Sequence, residues 1–291
     1  MAVWTVAGVQ MDCRLGRPAE NLGAIRAKLA EAAGAGARLV VFPECAVTGY
    51  AFTARDEAAR LAESVPGPTS DVVANECARH GVWAIFGLLE RDGPKLFNSC
   101  AVVGPTGQLA SYRKLHLPCL GADRFTDPGD RPLAVHDLGG LRVGVHICFD
   151  GSYPESARVL ALLGADLIVQ PTNWADKAIK NATLVARVRA FENHVYHMAV
   201  NRVGVEGGHH FVGHSSIVNC VGDFLALADH DEEAIILADV DPAVARQKRA
   251  VYCAGEYEID RVNWRRPEMY GPLVEPSPEP FVGHDRPETG K

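Results

Sequence analysis

Alternating apolar positions recur along the chain, separated by stretches with helical spacing. Residues 3–11 read as a strand, and 17–36 as an Ala-rich helix with Leu22, Ile25 and Leu29 on one face. The unbroken apolar run 39–42 reads as a buried strand stopped by Pro43. A helical piece at 58–62 and a helix near 70–80 lead to a strand at 83–89. Segments 97–103 and 108–116 read as antiparallel partners joined by the turn 104–107. Strands at 134–136 and 141–147 flank Gly139-Gly140, and Pro154 opens a helix on which Glu155 and Arg158 stand three apart and can pair. A buried strand at 166–170 ends at Pro171. A helix at 179–194, a strand at 196–201 and a glycine-rich loop at 204–208 follow. Strands near 211–219, 224–227 and 234–240 then precede a helix from Asp241-Pro242 to about 249. Beyond 254 the apolar content is too low for a core, which predicts an extended arm ordered only where Tyr257, Trp264 and Tyr270 pack.

No repeat of 20–50 residues and no break in composition divides the chain. The pattern predicts one layered α/β domain over residues 1–270, with an extended tail at 271–291. With 291 residues, 47% of them hydrophobic, a large core is available. A net charge of -7 argues against a nucleic-acid footprint, which needs clustered positive charge. No apolar run reaches the roughly 18 residues that span a membrane. The start, MAVWTVAGVQ, lacks the basic region and cleavage pattern of a signal peptide and reads as a first strand. Eight scattered cysteines suit a reducing cytoplasm better than a disulfide framework.

Three strand ends carry candidate chemistry. Cys148 sits where a strand gives way to the turn marked by Gly151 and Pro154, and the carboxyl ends of strands are where ligands collect in α/β sheets. A lone cysteine is more often a buried small hydrophobe, so this one gains meaning only from the other two. Glu44 follows the buried strand directly, and desolvation there raises a carboxyl pKa towards the range useful for proton transfer. Lys114 lies inside a strand pattern, where an ammonium needs a carboxylate partner.

Six motifs in order resemble the nitrilase, or carbon-nitrogen hydrolase, superfamily over residues 3–270. They are FPE at 42–44 with Thr48-Gly49-Tyr50 after it, YRKLHLP at 112–118, GVHICFDGSYPE at 144–155, GADLIVQPTNW at 164–174, RVRAFENH at 187–194 and VNRVG at 200–204. The resemblance implies a four-layer αββα sandwich and a catalytic set of Glu44, Lys114 and Cys148. It implies dimerisation through outer helices, here those at 154–163 and 179–194, giving a homodimer or higher homo-oligomer. Cys148 would attack a carbonyl carbon while Glu44 takes its proton, with Lys114 and the Phe149 N–H stabilising the oxyanion. A thioester would form and water activated by Glu44 would hydrolyse it, with no cofactor.

One departure stands out. The family commonly carries a second glutamate before a turn that appears here as FTDPGD at 125–130, yet residues 115–147 contain no glutamate. Asp123 substitutes for it, or simply pairs with Arg124 or caps a turn. Phe149-Asp150 and Pro154-Glu155 look more like the amidase and N-carbamoyl branches than like nitrilases proper. The expected reaction is hydrolysis of a small linear amide to a carboxylic acid and ammonia, with N-carbamoyl compounds as the alternative. Tyr50, Cys119, Tyr153, Asn173 and Trp174 are candidate substrate-binding residues by loop position, and each could equally be packing.

Rival chemistries are poorer. His194 with His197, and His209, His210 and His214 with Cys119 and Cys220, suggest a metal, but without tight C-x-x-C or H-E-x-x-H spacing. No GxGxxG or P-loop follows a strand. A non-catalytic interaction protein keeping the fold is favoured only by the missing glutamate.

Overall fold

Strands from residues 4–113, with one strand returning at Ala234–Val240, build one sheet, and strands from residues 135–227 build another. The structure is a computed structural model that describes residues 2–275. The first half runs β1 (Trp4–Gln10), α1 (Pro18–Gly34), β2 (Leu39–Val41), α2 (Arg55–Leu61), α3 (Pro68–His80), β3 (Trp83–Asp92), β4 (Lys95–Val103) and β5 (Leu109–Arg113). There follow β6 (Val135–Asp137), β7 (Arg142–Val145), α4 (Pro154–Leu162), β8 (Leu167–Thr172), α5 (Ala186–Asn193) and β9 (Tyr196–Asn201). The chain continues through β10 (Val203–Glu206), β11 (His209–Val212), β12 (Ser216–Val218), β13 (Phe224–Leu227), β14 (Ala234–Val240), α6 (Pro242–Arg246), β15 (Arg249–Cys253) and β16 (Tyr257–Asp260).

Two six-stranded sheets result, in the orders β14-β1-β2-β3-β4-β5 and β13-β12-β9-β8-β7-β6. Each has three parallel strands at its centre, β1-β2-β3 and β7-β8-β9, flanked by antiparallel ones. The central strands are near-continuous apolar runs and bury both faces. Val6, Leu39, Val41 and Ile85 of the first sheet meet Val143, Val145, Leu167, Val169 and Met198 of the second in one apolar cluster. On the outer face of the first sheet, Ala7, Val9, Val40 and Phe86 pack with Ile25 and Leu29 of α1 and Val73 and Cys77 of α3. On the outer face of the second, Ile168 packs with Ala157, Leu160 and Ala161 of α4, and Ala199 with Ala186 of α5. The layers are therefore αββα, as expected. Each fully buried aliphatic side chain adds roughly 1.5–3 kcal/mol of burial, so the inter-sheet cluster holds the two halves, and the strand ends above it, in register.

Several boundaries differ from the sequence reading. Strand β8 continues through Pro171 to Thr172, because β7 pairs only as far as Val169 and the last residues pair with β9 alone. The helix expected at 179–194 is present over 179–193, preceded by a 3-10 turn at Asp176–Ala178 and carrying a π turn at Asn181–Val185 ahead of α5. Within it Thr183 donates its hydroxyl back to the Ile179 carbonyl, a bond that bends helices. The strand expected at 211–219 splits into β11 and β12 where Gly213 and His214 take left-handed backbone. Arg158 does not pair with Glu155; its guanidinium donates to the carbonyls of Glu192 and Arg261. The expected arm beyond 254 begins as a hairpin, β15 with β16, on which Tyr252 stacks against Tyr257. Of the tail expected at 271–291, residues 276–291 lie outside the described residues. Among the described residues no helix is long and apolar enough to cross a membrane.

Candidate active site

Glu44 is carried by the loop leaving β2, and that loop is clamped against β3. The Phe42 and Val47 N–H groups donate to the Ile85 and Gly87 carbonyls, and the Gly87 N–H donates to Pro43. The fit leaves no room for a side chain at Gly87, where a Cβ would lie 2.3 Å from the Cys45 nitrogen and 2.7 Å from the Glu44 Cα. Lys114 follows β5 directly, its N–H bonded to the Asn98 carbonyl and its own carbonyl to the Gly129 N–H. Asp123 lies in the 3-10 turn Gly121–Arg124.

These three side chains converge in a site closed to solvent. Lys114 Nζ donates to Glu44 Oε1 at 2.7 Å and to Asp123 Oδ2 at 2.5 Å. Asn98 Nδ2 donates to the same Glu44 oxygen at 2.7 Å and to Asp123 Oδ1 at 2.9 Å. Asp123 thus takes up Lys114 rather than pairing with Arg124, and its shorter side chain reaches the ammonium. Glu44 Oε2 has no hydrogen-bond partner among the described residues, which leaves one oxygen open to a proton. Burial raises the Glu44 carboxyl pKa; Lys114 opposes the shift and the Asp123 charge adds to it. Burial alone would lower the Lys114 pKa, but Asp123 and then Glu44 outweigh it and hold the ammonium well above its ordinary value.

Cys148 comes from the other sheet. It opens a 3-10 turn, Cys148–Ser152, with φ of 46°, in the left-handed region that a non-glycine residue rarely adopts. Its carbonyl accepts from Gln170 Nε2 at 2.7 Å, and Arg189 Nε and Nη2 donate to the Gly151 and Ser152 carbonyls. Such over-determination sustains a strained backbone conformation at Cys148. Phe149 lies in the first turn, where N–H groups have no intrahelical acceptor. Burial pushes the Cys148 thiol up to about 12, and Glu44 pushes the same way. Lys114, the Asn173 N–H and the Thr172 hydroxyl pull it down. At neutral pH the thiol is therefore protonated at rest and needs a base to be activated.

The remaining sequence candidates separate. Tyr50 is buried behind Asp123, its hydroxyl 2.8 Å from Asp123 Oδ2 and 3.0 Å from the Leu120 carbonyl, so it supports the acid instead of opening to a pocket. Trp174 packs with Ala182, Ala186 and Ala199, and its backbone is held by Asn201. Cys119 is exposed beyond Pro118. Tyr153 stands at the rim and stacks on His116 with ring centroids 3.8 Å apart. Asn173 is buried beside Cys148, and neither polar atom of its side-chain amide has a partner among the described residues. The histidines weighed as metal ligands are dispersed: His197 lies against His146, His210 between Asp176 and Asp231, and His214 on Asp229.

The model of the carbon-nitrogen hydrolase family matches residues 5–250. The chain belongs to that family. It is 40% identical over 245 residues to a nitrilase of Pyrococcus abyssi, covering 84% of this chain and 92% of the relative. With an omega-amidase of Danio rerio it shares 34% identity, over 77% of this chain and 83% of the other. An amidase from Nesterenkonia sp. AN1, solved as a mutant with the acetamide moiety of fluoroacetamide covalently added at its active-site cysteine, superposes with a TM-score of 0.73. That pair is 25% identical over 84% of this chain and 93% of the solved one. The family membership makes this chain a hydrolase of C–N bonds, as its motifs implied.

Three residues of this hydrolase site, Asn98, Gly87 and Glu206, escaped the sequence reading, and Arg202 entered it only as part of VNRVG. Asn98 stood inside an apolar strand, and a buried amide there demands partners as surely as Lys114 does. Gly87 carried no local signal. Glu206 accepts the Tyr50 and Ala51 N–H groups at 2.7 and 2.6 Å and pairs with Arg202 at 2.9 Å. Arg202 therefore steadies Asp123 through Glu206 and Tyr50, a chain that spans sequence separations no motif reveals.

Proposed function

We propose that this protein hydrolyses small linear amides to a carboxylic acid and ammonia through a thioester on Cys148. The observation carrying the proposal is the closed cluster of Glu44, Lys114 and Asp123 with a strained cysteine from the facing sheet within electrostatic reach. Glu44, with one free oxygen, takes the thiol proton as sulfur bonds to the amide carbon. The negative charge passes to the carbonyl oxygen, where Lys114 and the Phe149 N–H stabilise it, a donor of this kind being worth about 3–4 kcal/mol. Collapse breaks the C–N bond, and the proton on Glu44 leaves with ammonia. Water then gives a proton to Glu44 and its oxygen to the thioester carbon, and the departing sulfur recovers that proton. Asp123 keeps Lys114 charged and in place, filling the role of the family's second glutamate.

Amides are preferred to nitriles because the amide-active relatives and the Phe149-Asp150 sequence support that branch; N-carbamoyl compounds are the alternative substrates. The eight free cysteines support a reducing, cytoplasmic setting. Exposed Val159, Leu162, Leu184 and Phe191 on and beside α4 and α5 support self-association through those helices. Ammonia release from a panel of simple amides, N-carbamoyl amino acids and nitriles, wild type beside Cys148→Ala, tests the reading. Release from amides that vanishes in the variant is expected; release from carbamoyl compounds alone would move the assignment to that branch, and release that survives Cys148→Ala would overturn the mechanism.

A further inference from the structure

The nucleophile and its acid-base partners stand on different sheets. Asn98 lies in the first, with Glu44 and Lys114 just past the ends of its strands β2 and β5. Cys148 lies just past the end of β7 in the second, and the cluster between the sheets is apolar. Apolar packing is non-directional: it seats one sheet on the other but does not aim individual polar side chains across the gap, which takes directional bonds. Beside the site, one fully buried carboxylate bridges the sheets. Asp150 Oδ2 accepts the Tyr112 hydroxyl of β5 at 2.7 Å and the Ile147 N–H at the exit of β7 at 3.0 Å. Asp150 Oδ1 accepts the His116 N–H at 2.9 Å and lies 2.7 Å from His116 Nδ1. Tyr112 and His116 flank Lys114 by two residues on either side, and Ile147 and Asp150 flank Cys148. Burial would raise the Asp150 carboxyl, but bonds from the His116 side chain, the Tyr112 hydroxyl and the Ile147 N–H, with the Lys114 charge, hold it below the usual range.

We infer that Asp150 is a positioning residue, a tether that locks the lysine segment to the nucleophile turn and so sets how Cys148 meets Lys114 and Glu44. It touches none of the reacting atoms. Each oxygen is shared with a donor from the first sheet, and Oδ2 also takes one from the nucleophile turn, so loss of the charge loosens both sides together. Gln170 of β8, Arg189 of α5 and Ser156 of α4 fasten the turn to the second sheet and the helices on it, and none of them can replace this link.

The inference rests on Cys148 being the nucleophile, and the test separates the two. Wild type, Cys148→Ala, Asp150→Asn and Tyr112→Phe are compared for kcat, KM, Tm and the rate at which iodoacetamide alkylates Cys148. Misplacement of reacting groups by about 1 Å costs on the order of 10²-fold. Asp150→Asn should lose about that much in kcat per folded site, with KM within about twofold and slower alkylation. Tyr112→Phe, which keeps the packing and removes one bond, should lose about tenfold. A lowered Tm with kcat and alkylation unchanged in both variants would make Asp150 a stability residue and overturn the tether. Activity retained in Cys148→Ala would remove the nucleophile reading and the tether with it.

Discussion

Gly87→Ala tests how tightly the sheet fixes the base. The new methyl would lie 2.3 Å from the Cys45 nitrogen, 2.6 Å from the Pro43 carbonyl oxygen and 2.7 Å from the Glu44 Cα, where ordinary contact begins at 3.4 Å. All three neighbours are backbone, so no side chain can swing aside, and the Pro43–Cys45 loop must retreat by about 1 Å. It is tied to β3 through the Gly87 N–H and carbonyl, so β3 shifts or those bonds stretch. Overpacking of this kind costs about 1–3 kcal/mol, a Tm loss of several degrees for a domain this size. The larger effect falls on catalysis: displacing Glu44 by about 1 Å should lower kcat on the order of 10²-fold. Steady-state amide hydrolysis and a thermal melt measure both quantities. Gly23→Ala is the control, since a Cβ there meets nothing within 4 Å in the middle of α1; it should raise stability by about 0.5–1 kcal/mol and leave kcat unchanged. A Gly87→Ala enzyme with kcat within about twofold of wild type would refute the reasoning.

Two substitutions should move the acid limb of the kcat/KM profile in opposite directions. The Asp123 charge raises the Glu44 pKa, so Asp123→Asn should shift that limb to lower pH while kcat falls. The Asn98 hydrogen bond lowers the Glu44 pKa, so Asn98→Leu should shift the limb to higher pH and cost about 1–3 kcal/mol in stability for the unpaired carboxylates; limbs that move together would contradict the assigned base. The buried His146 sits at about 4, held down chiefly by desolvation. Its neutral form is favoured on folding, so stability is full above the unfolded value near 6.5 and is lost as pH falls towards 4, about 3 kcal/mol for this residue. Urea melts of wild type and His146→Leu between pH 7 and 4 should show a shallower loss in the variant; parallel curves would place the acid sensitivity elsewhere.

Much of this protein is determined locally by its sequence. Alternating apolar positions specify strands with one buried face and short continuous apolar runs specify strands buried on both, so both sheets were legible, with β9, β13 and β14 at the very residues expected. Glu44, Lys114 and Cys148 stood out as candidates because each breaks a pattern at a strand end, and the pairing of Lys114 with a carboxylate was legible because a buried ammonium is costly alone. The choice between Asp123 as partner of Lys114 and as partner of Arg124 was not, because both lie within reach along the chain and only folding decides which charge is buried beside it. Gly87, Asn98, Glu206 and Asp150 were settled by tertiary structure alone: each acts on a segment tens of residues away or on the opposite sheet. Periodicity encodes which face of an element is buried, since that depends on near neighbours. Which polar atom meets which across two packed sheets depends on the register the core imposes, and no window of sequence contains it.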